Sequence, residues 1–559
     1  MLTFIDIFNL LIFAFFTNYF YFITGSIFVF KFNVLNNNNT KNINDFIKII
    51  LGLIIISLIA VFLNFFFSLD KNLNTAIFVI TYILGIFLIP KKIINLKTIK
   101  FISLISLFSS SILLFSNFYR PDASLYHLPY ISILNHHEII AGLNNIHFRY
   151  GLISILQYLS AFNFNFFFEK NGILIPSASA ASIIIFYFFC EVKNCYYKKE
   201  YSLENLFSLS ILIYISYKVN RYSEYGNDAV PALFYFFLIS FILKENYEKI
   251  FNYKFIILIS VFIFLNKASM IFVFFIPLLI YFFNYKNFRL SDYFKIIFSL
   301  PSFLLFIWFI KNIIISGCAI YPLKYSCIDT NWTDKQETQK ISIASEAWSK
   351  GWPQNQDKNL DSKKFIKDFN WINAWSKKHF GYILKIIIPF VIVILILYFY
   401  LLKKSCFNKI KNKRIFKILL FSSLIGTVLF FLKFPLYRYG YGYLISSLSL
   451  LFAYFTYKKL DLEKIRSVLL IIFTICFLGF FGKQFVRIVN NLSSDKAFPL
   501  IERKDFHSKI NKQIIHKFEN LVVYKSEYDC YYSEILCTQY NVKKINTKKK
   551  FGFVIIEIK

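Results

Sequence analysis

The chain has 559 residues, of which 57% are hydrophobic and only 17% charged. That balance excludes a soluble enzyme, a nucleic-acid-binding module and a disordered scaffold, and it places the chain in a lipid bilayer. Subtracting 31 acidic from 63 basic residues leaves +32; in a soluble protein this would point to nucleic acid, but in so apolar a chain lysines crowding cytoplasmic loops account for it, and nucleic acid is not an expected partner.

The first apolar run covers residues 4–30. Met1 to Asp6 lack a basic stretch and no small-residue cleavage site follows, so this run is expected to stay in the protein. Further apolar windows fall at 46–67, 74–89 and 98–118, then at 172–189, 203–219, 229–243, 254–266, 270–283 and 293–315, and finally at 381–402, 415–432, 441–457 and 466–481. Most approach the roughly 20 residues needed to cross about 30 Å of hydrocarbon. Connections rich in lysine, among them Lys91 to Lys100, Lys193 to Lys199, Lys403 to Arg414 and Lys458 to Arg466, are assigned to the cytoplasm. Parity holds if 151–168 is a re-entrant or interfacial helix and not a full crossing.

The expected fold is therefore an all-α polytopic integral membrane protein with about 13 to 15 transmembrane helices, external interfacial helices and a small C-terminal α/β external subdomain. Its divisions are N-terminal helices (1–118), a first external loop (119–171), a second helical set (172–315), a long external loop (316–380), a third helical set (381–481) and the external tail (482–559). The tail contains alternating runs at 520–524 and 552–557 that suggest strands.

The informative polar residues gather in the segments assigned to the external face: 119–150, 220–228, 316–380, 433–440 and the tail. In the first loop, Asp122 stands just outside a span and ahead of an amphipathic stretch, where it can act as a base beside a lipid-borne substrate or cap the helix that follows. His127, His136, His137 and His147 are four of seven histidines and raise a metal, but no paired spacing with a carboxylate supports one; Tyr126 and His127 are better read as packing the helix or orienting a substrate. The second segment contains Arg221, Glu224 and Asp228, enough for a proton, a cation or an anion, and Asp228 equally suits a cap.

Arg149 and Arg438 sit among aromatic residues, a setting in which a guanidinium either forks onto phosphate oxygens or snorkels to headgroups. The long loop contains five of the six tryptophans, suited to the membrane interface or to stacking on sugar rings. Cys318 with Cys327 and Cys530 with Cys537 are two close pairs on the external side, a spacing that suggests two local disulfides; Cys190, Cys195, Cys406 and Cys476 are expected to be reduced. Neither a phosphate-cradling loop nor a dinucleotide fingerprint is present.

Asp122 with Tyr126-His127-Leu128-Pro129, the run Gly142 to Gly151, Gln157 to Ala161, Tyr222 to Pro231, Ser316-Gly317 with Ile320-Tyr321-Pro322, and Arg438 to Gly442 together resemble the GT-C-type polytopic bacterial membrane proteins of unknown substrate. The tail pair Cys530 and Cys537 resembles that family's tail as well. The resemblance implies an inverting glycosyltransferase in the bacterial inner membrane, its site facing the periplasm, which moves a sugar from a polyprenyl-phosphate donor to a glycan or lipid acceptor of the envelope. On that analogy Asp122 is base or metal ligand, Glu224 or Asp228 its acidic partner, and Arg149, Arg221 and Arg438 hold the donor phosphate, with Tyr126, His127 and His147 beside the substrate. No cofactor is required by these residues; a divalent metal ion is the candidate the family suggests. A lone acidic residue at Pro121-Asp122 departs from the paired acids common in GT-C enzymes. A transporter or flippase for lipid-linked glycans, and a polysaccharide polymerase or ligase, are the competing readings. A transporter would place charges at mid-bilayer, where this chain has few, Lys267 and Lys311 near span ends being the main exceptions.

Overall fold

The computed structural model describes residues 4–30, 44–91, 93–113, 122–199, 201–218, 228–244, 250–284, 299–352, 361–367, 369–402 and 413–492, and in the tail 512–518, 521–526, 530, 532, 536–539, 545–550 and 552–558. Helices α1 (Phe4–Phe30), α2 (Asp45–Asn64), α3 (Lys71–Leu88) and α4 (Leu96–Leu113) come first, followed by the short α5 (Leu128–His136) and α6 (Ile155–Phe162). The second set is α7 (Ile175–Lys198), α8 (Leu203–Tyr217), α9 (Ala229–Lys244), α10 (Ile250–Asn266), α11 (Phe275–Asn284) and α12 (Leu300–Ser316). Helix α13 (Lys335–Ser349) belongs to the long loop, and α14 (Gly381–Leu401), α15 (Lys413–Lys433), α16 (Tyr437–Lys458) and α17 (Leu462–Leu492) complete the helical part.

Eight helices are long and apolar enough to cross a membrane, and five apolar helices of 10–17 residues accompany them. The chain is thus a helical, membrane-embedded protein. Burial separates inner helices from outer ones. In α9 every residue from Ala229 to Ile242 is buried, whereas α3 and α14 turn Ile86, Phe87, Ile396 and Phe399 outward, as lipid-facing helices do. Helices α1 and α2 touch through their backbones. A Cβ on Gly25 would meet the Lys48 carbonyl oxygen and one on Gly52 that of Tyr21, so only glycine fits either position.

Between residues 151 and 168 the one α-helix is α6, with 8 residues. At 1.5 Å per residue it spans about 12 Å, too short for a crossing. Its start is set by a capping box in which Ser154 Oγ accepts from the Leu156 N–H and Gln157 Oε1 accepts from the Ser154 N–H.

The described part of the tail is strand. β1 (Lys512–Phe518) pairs antiparallel with β2 (Leu521–Ser526), which pairs in parallel with β3 (Leu536–Thr538). β4 (Ile545–Lys550) and β5 (Phe553–Ile558) form a separate antiparallel pair. The alternation at 520–524 and 552–557 thus corresponds to β2 and β5; the helical component expected of an α/β subdomain is not found among the described residues of 512–558.

The tail docks on the first loop. The Ala141 N–H donates to the Val554 carbonyl and the Ile556 N–H to the Ala141 carbonyl, each at 2.9 Å, while Tyr150 Oη donates to the Cys537 carbonyl at 3.0 Å. The long loop joins them, since Asn145 Nδ2 donates to the carbonyls of both Trp332 and Ile556 at 3.0 Å. Gly142, at φ 71°, sits where a side chain would strike the Ile556 carbonyl and Trp332. Further along, Trp375 Nε1 donates to the Pro435 carbonyl at 2.7 Å and Glu346 pairs with Lys433. The described residues of 122–150, 316–380, 433–440 and the tail strands therefore share one end of the bundle. Among basic residues elsewhere, Arg466 lies over the Tyr196 ring at 5.2 Å and Lys244 pairs with Glu191 at 2.8 Å, linking lysine-rich connections to one another.

Both disulfides are present, Cys318–Cys327 and Cys530–Cys537, and Cys190, Cys195 and Cys476 are free. Cys406 lies outside the described residues.

Candidate functional site

Asp122 immediately precedes a single π-turn (Ala123–His127) that leads into α5. Its carboxylate makes no capping bond to that turn. Instead Oδ1 accepts from Arg149 Nη1 at 2.7 Å, and Oδ2 lies 3.7 Å from Arg438 Nη1. The capping alternative for Asp122 is thus replaced by ion pairing: the turn does not take the carboxylate, and two guanidinium groups do.

Arg438 bridges two carboxylates. Its Nη1 is also 3.5 Å from Asp228 Oδ2, and Asp228 forms an ion pair with Lys267 through its other oxygen. Lys267 lies over the Tyr439 ring at 4.1 Å. Two acidic and three basic side chains, drawn from the first loop, the α9 start, the α10 end and the α16 start, form one cluster with an excess of one positive charge. The Asp122 side chain is 36% exposed and Asp228 17%. The first is open to a substrate and the second is an internal counter-charge.

Aromatic rings and histidines hold this cluster in shape. The Arg149 guanidinium stacks 4.7 Å from the Tyr126 ring, and its backbone N–H donates to His147 Nδ1 at 3.1 Å. Arg438 lies 5.6 Å from the Trp348 ring, so α13 walls the site from the long loop. Glu346, two residues before Trp348 on α13, anchors it by pairing with Lys433 and with Lys350 at 2.7 Å.

His127 is buried behind the cluster. Gln157 Oε1 is occupied by the Ser154 N–H, so its Nε2 must be the atom that donates to His127 Nδ1 at 2.8 Å. His127 is thereby fixed as the tautomer protonated on Nε2. Burial pushes its pKa down to about 4 against the pull of Asp122 and Asp228, so it is neutral at pH 7. Burial, reinforced by Arg149, pushes His147 down to about 3.

The cluster does not suit a divalent metal. Both described carboxylates already face cations, and three positive groups surround the space between them. Three of the four loop histidines are also engaged separately: His136 Nδ1 bonds the Ser132 carbonyl, His127 bonds Gln157, and His147 bonds the Arg149 backbone. Among the described residues no group of three or more His, Cys, Asp or Glu side chains could hold a metal. What the arrangement can do is bind an anion beside a carboxylate able to take a proton.

Of the residues singled out in the sequence, Asp122, Tyr126, Arg149, Asp228 and Arg438 meet here, with His127 and His147 in support. Glu224 and Arg221 lie outside the described residues. Lys267, Gln157 and Trp348 are parts of the site to which the sequence assigned no such role. Each carried a weaker signal: Lys267 as a charge near a span end, Gln157 within the Gln157 to Ala161 run, and Trp348 among the long-loop tryptophans.

Residues 5–445 match the family described as a domain of unknown function, DUF8201, and the chain belongs to that family. The match takes in Asp122, Asp228, Lys267 and Arg438 and ends before the tail strands. No curated protein matches the chain. No solved structure matches it either.

Proposed function

We propose that this member of the DUF8201 family is a membrane-embedded inverting glycosyltransferase of the GT-C type, which moves a sugar from a polyprenyl-phosphate donor to an acceptor of the bacterial envelope. The observation that carries the reading is the Arg438 guanidinium set between Asp122 and Asp228, with Arg149 and Lys267 flanking them. In this reading the chain crosses the inner membrane about 13 to 15 times, and the cluster faces the periplasm. Charges paired at one end of the bundle suit an enzyme working at the interface better than a carrier, whose charges line a path through mid-bilayer.

The donor phosphate docks on Arg149 and Arg438, competes with Asp122 for them, and frees that carboxylate. The acceptor hydroxyl oxygen then forms a bond to the anomeric carbon from the side opposite the phosphate, as the bond from that carbon to the phosphate oxygen breaks. The hydroxyl proton passes to Asp122, and the electron pair leaves on the polyprenyl phosphate, held by the guanidinium groups. Asp228 keeps Arg438 and Lys267 in place; Glu224, with Arg221 beside it in sequence, is the alternative acidic partner. No step here requires a metal.

The test uses the full chain in nanodiscs with a radiolabelled polyprenyl-phosphate hexose and envelope extract as acceptor. Asp122→Asn is expected to lower sugar transfer by roughly 10²- to 10⁴-fold and to leave donor binding in place. Undiminished transfer by that variant overturns the reading. In proteoliposomes, movement of lipid-linked glycan across the bilayer by Asp122→Asn at the wild-type rate, with no bond made, would replace it with a flippase.

A further inference from the structure

The same end of the bundle has a recess that the cluster around Asp122 does not line. It is an open cleft of about 770 Å³ between the α2–α3 connection, the end of α5 and the tail strands. Helix α5 joins the two places, with His127 at its start and His136 at its end. Nine residues at 1.5 Å each put them about 13 Å apart.

Two kinds of side chain line the cleft. Phe66 and Phe67 are 55% and 57% exposed, and Phe518 adds a third ring from β1. Asp70, His136 and Glu138 supply polar groups, with Lys549 from β4. Asp70 spends one oxygen capping α3, where Oδ1 accepts the Leu73 N–H at 2.8 Å. His136 donates from Nδ1 to the Ser132 carbonyl, which leaves the Nε2 lone pair as an acceptor. The Glu138 side chain makes no hydrogen bond or ion pair among the described residues, although it is partly buried. The walls are held in register, because Asn64 Nδ2 donates to the His137 carbonyl at 3.1 Å and the Ile139 N–H to the Asn64 carbonyl at 2.8 Å.

We infer that this cleft binds the acceptor, a neutral glycan whose inner sugars rest on Phe66, Phe67 and Phe518 while its growing end reaches Asp122. Aromatic faces pack against the C–H faces of a sugar, and carboxylates and an imidazole nitrogen accept its hydroxyls. Charge selects against other occupants. Asp70 and Glu138 against Lys549 leave the acidic and lysine side chains of the lining at −1, which disfavours a polyanion. The assignment of the bound glycan as acceptor rests on the glycosyltransferase reading; the binding itself does not.

The test applies full-length protein in nanodiscs to an array of neutral glycans, acidic glycans and peptides. Neutral glycans are expected to be retained. Phe66→Ala and Glu138→Gln should each weaken retention by roughly tenfold, with unfolding midpoints unchanged for the near-isosteric Glu138→Gln. Asp122→Asn should bind the array as wild type does, so loss of transfer in that variant and loss of glycan binding in the cleft variants are separate results. Failure to retain any neutral glycan, preference for acidic glycans or peptides, or retention indifferent to both cleft substitutions overturns the inference.

Discussion

Arg149 donates from Nη1 to Asp122 Oδ1 across 2.7 Å, and the Tyr126 ring supports the same guanidinium at 4.7 Å. A planar, delocalised cation can stack its face on the ring while its edge donates to the carboxylate and to a phosphate, a fork that the compact lysine ammonium does not reproduce. Arg149→Lys is therefore expected to retain a folded protein and to weaken donor binding several-fold, measured as the affinity for polyprenyl phosphate in nanodiscs. Affinity equal to wild type would remove Arg149 from the anion site.

The Asp228 and Lys267 side chains are 17% and 11% exposed, so neither charge has much water to fall back on. Removing one partner of such a pair costs about 3–5 kcal/mol. Asp228→Asn should destabilise by an amount in that range, and adding Lys267→Met should recover part of the loss. Unfolding in mixed micelles measures the cycle, and strictly additive effects would contradict direct coupling.

His127 and His147 are both held neutral, at about 4 and about 3, below the ordinary histidine value near 6.5. The unfolded chain binds protons at pH values where the folded one does not. Stability is full above about pH 6.5 and falls as pH drops toward 4, each histidine contributing up to about 1.4 kcal/mol per pH unit. Unfolding midpoints between pH 7 and pH 4.5 check this. Gln157→Glu replaces the donor on His127 Nδ1 with an acceptor and should raise that histidine's pKa, a shift that nitrogen NMR reads directly.

Gly142→Ala meets the Ile556 carbonyl and Trp332 at a backbone conformation that alanine resists. The expected cost is about 1–3 kcal/mol, concentrated where β5 docks. Hydrogen exchange should accelerate at the Ala141 and Ile556 amides and stay slow in α9. Unchanged protection at Ile556 would mean that the tail is not clamped there.

The disulfides test sidedness. Cys318, Cys327, Cys530 and Cys537 should resist a membrane-impermeant maleimide until a reductant is added from the periplasmic side, after which they label. Labelling without reductant would overturn the two disulfides, and labelling only after lysis of the inner membrane would overturn the external assignment of these loops.

Membrane residence was readable from the sequence alone, because a span needs only a run of apolar residues, a property of neighbours in the chain. The grouping of loops was readable for the same reason, since lysine content is local. The segments containing Asp122, the long-loop tryptophans, Arg438 and the tail strands were separated from the lysine-rich connections, and the structure joins them at one end. Cysteine pairs seven and nine residues apart were equally legible. Parity requires that the 151–168 stretch not be a full crossing, and the one α-helix there, α6, has 8 residues.

Which charges meet is a different matter. Asp122 and Arg438 are hundreds of positions apart, and no periodicity relates them; only the packing of α9, α10 and α16 against the first loop brings Asp228, Lys267 and Arg438 to one point. The tautomer of His127 likewise depends on Gln157, whose amide is oriented by a capping box thirty residues along the chain. Local composition decides where a segment resides, because transfer from water to lipid is a sum over its own residues. The partner of each ion inside the site is set by tertiary packing, because a charge removed from water must find its counter-charge wherever the fold brings one near.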